Sequence, residues 1–129
     1  MLLFAWVLGF LLHELMHVLS QGRTGVIYIE GLSMRATAEH YWNIRFFYLA
    51  GGLLSGLVFI VAGVLVFFLP TLYVVWCFFT VGVVNIIYGF FECAFLPRWG
   101  NSLKYTVGRY SLYFLIICLM VGILWRWIN

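Results

Sequence analysis

The sequence predicts an all-α integral membrane protein with four transmembrane helices and a possible small β-hairpin in the first cytoplasmic loop. Three observations lead there. Of the 129 residues, 66% are hydrophobic and only 9% are charged, against about 25% charged in an average soluble domain. A soluble chain this short could not hide so much apolar surface, because small domains leave a large share of their area exposed. The apolar residues also gather into four runs, each close to the roughly 20 residues of helix that a bilayer requires. The whole chain, 1–129, reads as one membrane domain with no soluble module.

The first run is Leu2 to Ser20, interrupted only by His13, Glu14 and His17. Met1 to Leu12 carries no charge and no small-residue cleavage site follows, so it does not read as a secretory signal. A polar stretch extends from Gln21 to Arg45. Within it, Val26 to Ile29 is β-prone, Glu30-Gly31 offers a turn, and Leu32, Met34 and Ala36 alternate with Ser33, Arg35 and Thr37. That pattern fits a hairpin and equally a loop lying on the lipid headgroups. The second run is Phe46 to Leu69, closed by Pro70. The third is about Thr71 to Phe95, closed by Pro97. A short polar loop with Arg98, Asn101, Ser102, Lys104 and Arg109 precedes the fourth run, Tyr110 to Ile128.

Successive spans alternate in direction, and Lys and Arg set the orientation. Arg23, Arg35 and Arg45 follow the first helix; Arg98, Lys104 and Arg109 follow the third; only Arg126 lies on the other side. Both polar loops are therefore expected in the cytoplasm of a multi-pass protein of the cell membrane. The net charge of +3 comes with no basic run, so nucleic-acid binding has no support. Cys77, Cys93 and Cys118 lie in apolar segments at spacings that match neither a zinc pattern nor a disulfide framework. They read as small packing residues.

The chemistry sits in His13-Glu14-Leu15-Met16-His17. Positions i and i+4 of a helix share a face, so the two imidazoles can hold one zinc ion, with Glu14 beside it as acceptor of a proton from water. A charge at the centre of a span costs roughly 2.5–3.5 kcal/mol on the insertion scale. Three ionisable groups in five apolar-flanked residues therefore point to a site rather than to packing. A catalytic zinc usually takes a third protein ligand. The chain has no Asp; the candidates are Glu30, Glu39, Glu92 and His40. Only Glu92 lies within a predicted span, and its helix runs parallel to the first, so the two can meet at similar depth. Asn85, seven residues earlier and so close to two helical turns away, faces the same way. It suits either a substrate contact or an interhelical hydrogen bond. Ala50-Gly51-Gly52-Leu53-Leu54-Ser55-Gly56 opens the second helix with small residues that let helices approach closely.

In these residues the chain resembles the site-2 protease family of intramembrane zinc metalloproteases. That family carries HExxH on one transmembrane helix, a polar loop, a helix opening with an Ala-Gly-Pro-x-x-Asn-like segment, and a later helix with Asn-x-x-Pro-x-Pro-x-x-Asp. Here the matches are His13-Glu14-x-x-His17, Ala50-Gly51, and Asn85 followed by Glu92, over about residues 1–95. Gly52 and Ser55 stand where the family often has Pro and Asn. Both prolines of the later segment are absent, and Glu92 follows Asn85 by seven residues where the family's Asp follows by eight. The resemblance implies a minimal zinc endopeptidase that cleaves membrane-spanning or membrane-associated proteins or peptides. His13, His17 and Glu92 would hold one Zn2+, Glu14 would be the catalytic base, and Asn85 would touch the substrate. A metal-binding scaffold without catalysis is the rival reading. Metal transport is disfavoured, because the second and fourth runs offer almost no polar residues for a path.

Overall fold

The computed structural model describes residues 2–30, 33–67, 72–99 and 102–128. It is mostly helical, with one two-stranded antiparallel hairpin. In chain order the elements are α1 (Leu2–Ser20), a 3-10 turn (Gly22–Thr24), β1 (Gly25–Glu30), β2 (Ser33–Ala38), α2 (Ile44–Val66), α3 (Leu72–Trp99) and α4 (Leu103–Ile128). Three stretches are long and apolar enough to cross a membrane: Ile44–Val66, Leu72–Trp99 and Thr106–Arg126. α1 is shorter, at 19 residues, or about 28 Å at 1.5 Å per residue.

The hairpin follows the alternating pattern, from Gly25 opposite Ala38 to Glu30 opposite Ser33. The turn at Gly31 and Leu32, and the bend around Pro70, lie outside the described residues. The hairpin packs on the last turns of α1. A Cβ on Gly25 would stand 2.5 Å from the Val18 carbonyl oxygen, so only glycine admits this approach.

Four helix boundaries differ from the hydropathy reading, one of them the end of α2, which stops at Val66 with Phe67 as its C-cap rather than at Leu69. α2 begins at Ile44 rather than Phe46 because Asn43 caps it, its side chain accepting from the Arg45 and Phe46 amides at 3.0 and 3.1 Å. α3 continues past Phe95 and through Pro97 to Trp99. Proline's φ suits a helix, and in the last turn its missing N–H leaves only one carbonyl unpaired. Phe91, Phe95 and Trp99 stack at four-residue spacing there, with centroids 4.9 and 4.5 Å apart. α4 begins at Leu103 rather than Tyr110. Lys104 and Arg109 are polar but fully compatible with helical hydrogen bonding.

α2 is the central helix, packed on α1 and on α3. Its closest approach to α3 is built from glycine: a Cβ on Gly52 would stand 2.4 Å from the Gly89 Cα, and one on Gly89 would stand 2.8 Å from the Gly52 Cα. α4 rests against α3 and leaves most of its surface uncovered. The exterior is apolar, with Phe4, Leu65, Phe114 and Trp125 all more than 70% exposed. The interior holds His13, His17, Ser55, Thr80, Asn85 and Glu92, all buried. That distribution is the reverse of a water-soluble domain's.

Candidate metal centre

α1 presents His13 and His17 inward at 3% and 4% exposure, one turn apart, while Leu15 between them faces out. α3 brings Glu92 to the same point. His13 Nε2 lies 3.0 Å from Glu92 Oε2, His17 Nε2 lies 3.3 Å from it, and the two Nε2 atoms are 3.0 Å apart. Among the described residues this is the one group of three His, Cys, Asp or Glu side chains placed to share an ion.

The donor set fits a metal. His17 Nδ1 hydrogen-bonds the Phe47 carbonyl, so its proton sits on Nδ1 and, in the neutral ring, a lone pair sits on Nε2. That lone pair faces a carboxylate oxygen 3.3 Å away. Two acceptors at that distance repel unless a proton or a cation lies between them. Ligand atoms at 2.0–2.1 Å from a tetrahedral zinc would be about 3.3 Å from one another, close to the spacings seen here.

The N-terminal turns of α2 cradle His17. The Phe47 ring lies 4.7 Å from the imidazole centroid. At Gly51 a Cβ would come within 2.3 Å of Nε2 itself, so a side chain there would displace the ligand atom. Tyr88, one turn before Glu92, packs its ring 5.2 Å from that of His13. Tyr113 of α4 packs on Tyr88 at 5.0 Å, and Arg109 donates from Nη1 to the Tyr88 hydroxyl at 3.5 Å. Phe47, Tyr88, Tyr113 and Arg109 were not among the sequence-predicted site residues. The one available signal was Tyr88's four-residue offset from Glu92.

Glu14 is half-buried and stands outside the ligand set. Its Oε2 accepts the Ala36 amide of β2 at 2.8 Å, so the outer edge of the hairpin faces the carboxylate next to the His–Glu cluster. Asn85 is buried at 8% exposure, about two turns before Glu92. Its Nδ2 donates to the Val81 carbonyl of its own helix at 3.0 Å, and it sits where α1 crosses α3 at Gly9. The structure therefore places Asn85 on the α1-facing side of α3 but outside the His–Glu cluster. Of the competing ligands, Glu39 and His40 are exposed beyond the end of β2 and do not join the cluster. Glu30 belongs to β1, and its side chain lies outside the described residues.

Fold and site together define a class: a helical bundle with an apolar exterior and a buried His-His-Glu cluster able to hold a metal ion. No protein-family model, curated protein or solved structure matches the chain.

Proposed function

We propose that this chain is a zinc-dependent intramembrane endopeptidase of the cell membrane, with four spans and a catalytic core like that of the site-2 protease family. The observation that carries the reading is the convergence of His13, His17 and Glu92 at 3.0–3.3 Å, with Glu14 adjacent to them yet outside the ligand set. Nitrogen and carboxylate donors suit zinc. When bound, the ion supplies Lewis acidity, which makes water a better nucleophile and polarises a carbonyl.

The protein's own residues do the rest. His13, His17 and Glu92 hold the ion in an apolar surround. Glu14 takes a proton from the attacking water and hands it to the leaving amine. Asn85 keeps a second amide hydrogen beyond the one given to Val81, and that hydrogen serves a substrate carbonyl. A substrate helix hides its carbonyls in its own hydrogen bonds, so it unwinds before cleavage. The outward edge of β2 offers an extended segment a partner strand, alongside Glu14.

Glu14→Gln tests the reading, because it keeps the size of the side chain and removes the proton acceptor. The expected outcome is unchanged zinc content with cleavage of a membrane-spanning reporter peptide lowered at least a hundredfold, in line with the size of general-base effects. Full activity in this variant sinks the mechanism. Zinc binding in both proteins with cleavage in neither favours the scaffold instead.

A further inference from the structure

Arg109 lies one tyrosine away from the metal centre and carries a charge that no carboxylate balances among the described residues. It is the seventh residue of α4, inside the apolar stretch that begins at Thr106, and it is only partly exposed. Its guanidinium meets two neutral hydroxyls at long range: Tyr88 at 3.5 Å from Nη1 and Tyr110 at 3.4 Å from Nη2. It also stands 5.1 Å over the Tyr110 ring. Its Nε is buried with no hydrogen-bond partner. The chain has no Asp, and its four acids are all Glu. Glu92 is directed at the two histidines, Glu14 accepts from Ala36, and Glu39 is exposed beyond the end of β2.

Arginine stays protonated at any physiological pH. A cation inside an apolar stretch, without a counter-ion, is a functional-site candidate, and an anion is the partner it lacks. The Tyr88 ring that meets this guanidinium packs on the ring of His13. An anion on Arg109 is therefore held beside the site where the proposed peptide is cut. We propose that Arg109 receives a carboxylate of the substrate, either the chain-terminal carboxylate or an acidic side chain near the scissile bond. This rests on the peptidase reading, since carboxylates are the anions a peptide carries. The planar fork of guanidinium matches a carboxylate in two parallel hydrogen bonds, stronger than the two long contacts to phenols that it makes now.

The test is equilibrium binding to the full chain, zinc-loaded, in zwitterionic detergent micelles, with Glu14→Gln present so that bound peptide is not consumed. Three dansylated apolar peptides of one sequence serve as probes: a free C-terminal carboxylate, the C-terminal amide, and the amide with one interior Gln exchanged for Glu. One of the two carboxylate peptides should bind at least about tenfold tighter than the neutral amide, a difference of about 1.4 kcal/mol. Arg109→Gln should abolish that preference and leave zinc content unchanged. A winning free terminus assigns the chain-terminal carboxylate, and a winning interior Glu assigns the side chain. Equal binding of all three peptides to the protein with Arg109 intact overturns the proposal, whether or not the Arg109 variant folds. It is also overturned if the preference survives Arg109→Gln, or if phosphatidylglycerol in the micelle occupies the site and cancels the preference. Failure here is separable from failure of the peptidase reading. Cleavage of the neutral amide with no carboxylate preference keeps the peptidase and removes this role for Arg109. Arg109-dependent binding without cleavage by the protein bearing Glu14 does the reverse.

Discussion

Glu92 is the residue on which the candidate site depends most. A carboxylate buried without a partner costs several kcal/mol or takes up a proton. Here its Oε2 stands within 3.3 Å of two imidazole nitrogens, one of which presents a lone pair because its ring donates to Phe47. A proton or a metal cation between them makes that grouping favourable, and a metal satisfies all three groups at once. Glu92→Ala is therefore expected to lower zinc affinity more than tenfold, as read by metal content after dialysis against a weak chelator. His40→Ala and Glu39→Ala should leave it unchanged, since both side chains are exposed beyond the end of β2. Glu92→Asp should fall between the two, because the carboxylate is kept but its reach is shortened by one methylene. Loss of metal in His40→Ala with retention in Glu92→Ala would falsify the assignment. The His-Glu-x-x-His spacing and the depth of Glu92 were legible in the sequence because a charge in an apolar run is conspicuous. Tyr88 and Arg109 were not. A tyrosine in a span blends with the other aromatics that pack or face outward, and Arg109 read as the end of a polar loop until helical geometry placed it beside Tyr88.

At the level of elements, the site exists because α2 lets α1 and α3 close on it. Gly51 leaves room for the His17 ring, and Gly52 and Gly89 bring the backbones of α2 and α3 into contact. Backbone cannot yield as a flexible side chain can, so overpacking at such a contact costs about 1–3 kcal/mol or more. Gly89→Val should lower the melting temperature in detergent by several degrees and weaken zinc binding with it, because Glu92 lies less than one turn further along α3. Gly122→Val is the matched comparison. Nothing lies within 4 Å of a Cβ built there, so both readouts should stay put. Equal effects from the two variants would mean that the glycine contact does not set the site. The small-residue opening of α2 was readable from Ala50 to Gly56, but its partner on α3 was not, since Gly82 and Gly89 stand seven positions apart in largely apolar sequence. The hairpin was readable as alternation, yet its contact with Glu14 was hidden: the donor is the Ala36 amide, and a backbone group has no signature in sequence.

Across the whole molecule, the basic residues gather at the end of the bundle that carries the site. Arg35 lies on the hairpin, Arg45 in the first turn of α2, Arg98 in the last turn of α3, and Lys104 and Arg109 in the first two turns of α4. Arg126 stands alone at the far end of α4. Lys and Arg are held back on the cytoplasmic side during insertion, so the hairpin and the α3–α4 connection should face the cytoplasm. The His13, His17 and Glu92 cluster would then lie in the cytoplasmic half of the membrane. The starting protein has Cys77, Cys93 and Cys118 replaced by Ala, with Ser102→Cys or Leu72→Cys added singly. Ser102 precedes α4 and Leu72 opens α3, so they mark opposite faces. A membrane-impermeant maleimide applied to intact cells should label the Leu72 position and leave the Ser102 position unmodified until the cells are broken open. The opposite pattern would invert the molecule. A substrate would then be cut near the outer face, the outward edge of β2 would meet extracellular rather than cytoplasmic segments, and the charge bias would have to be attributed to something other than insertion.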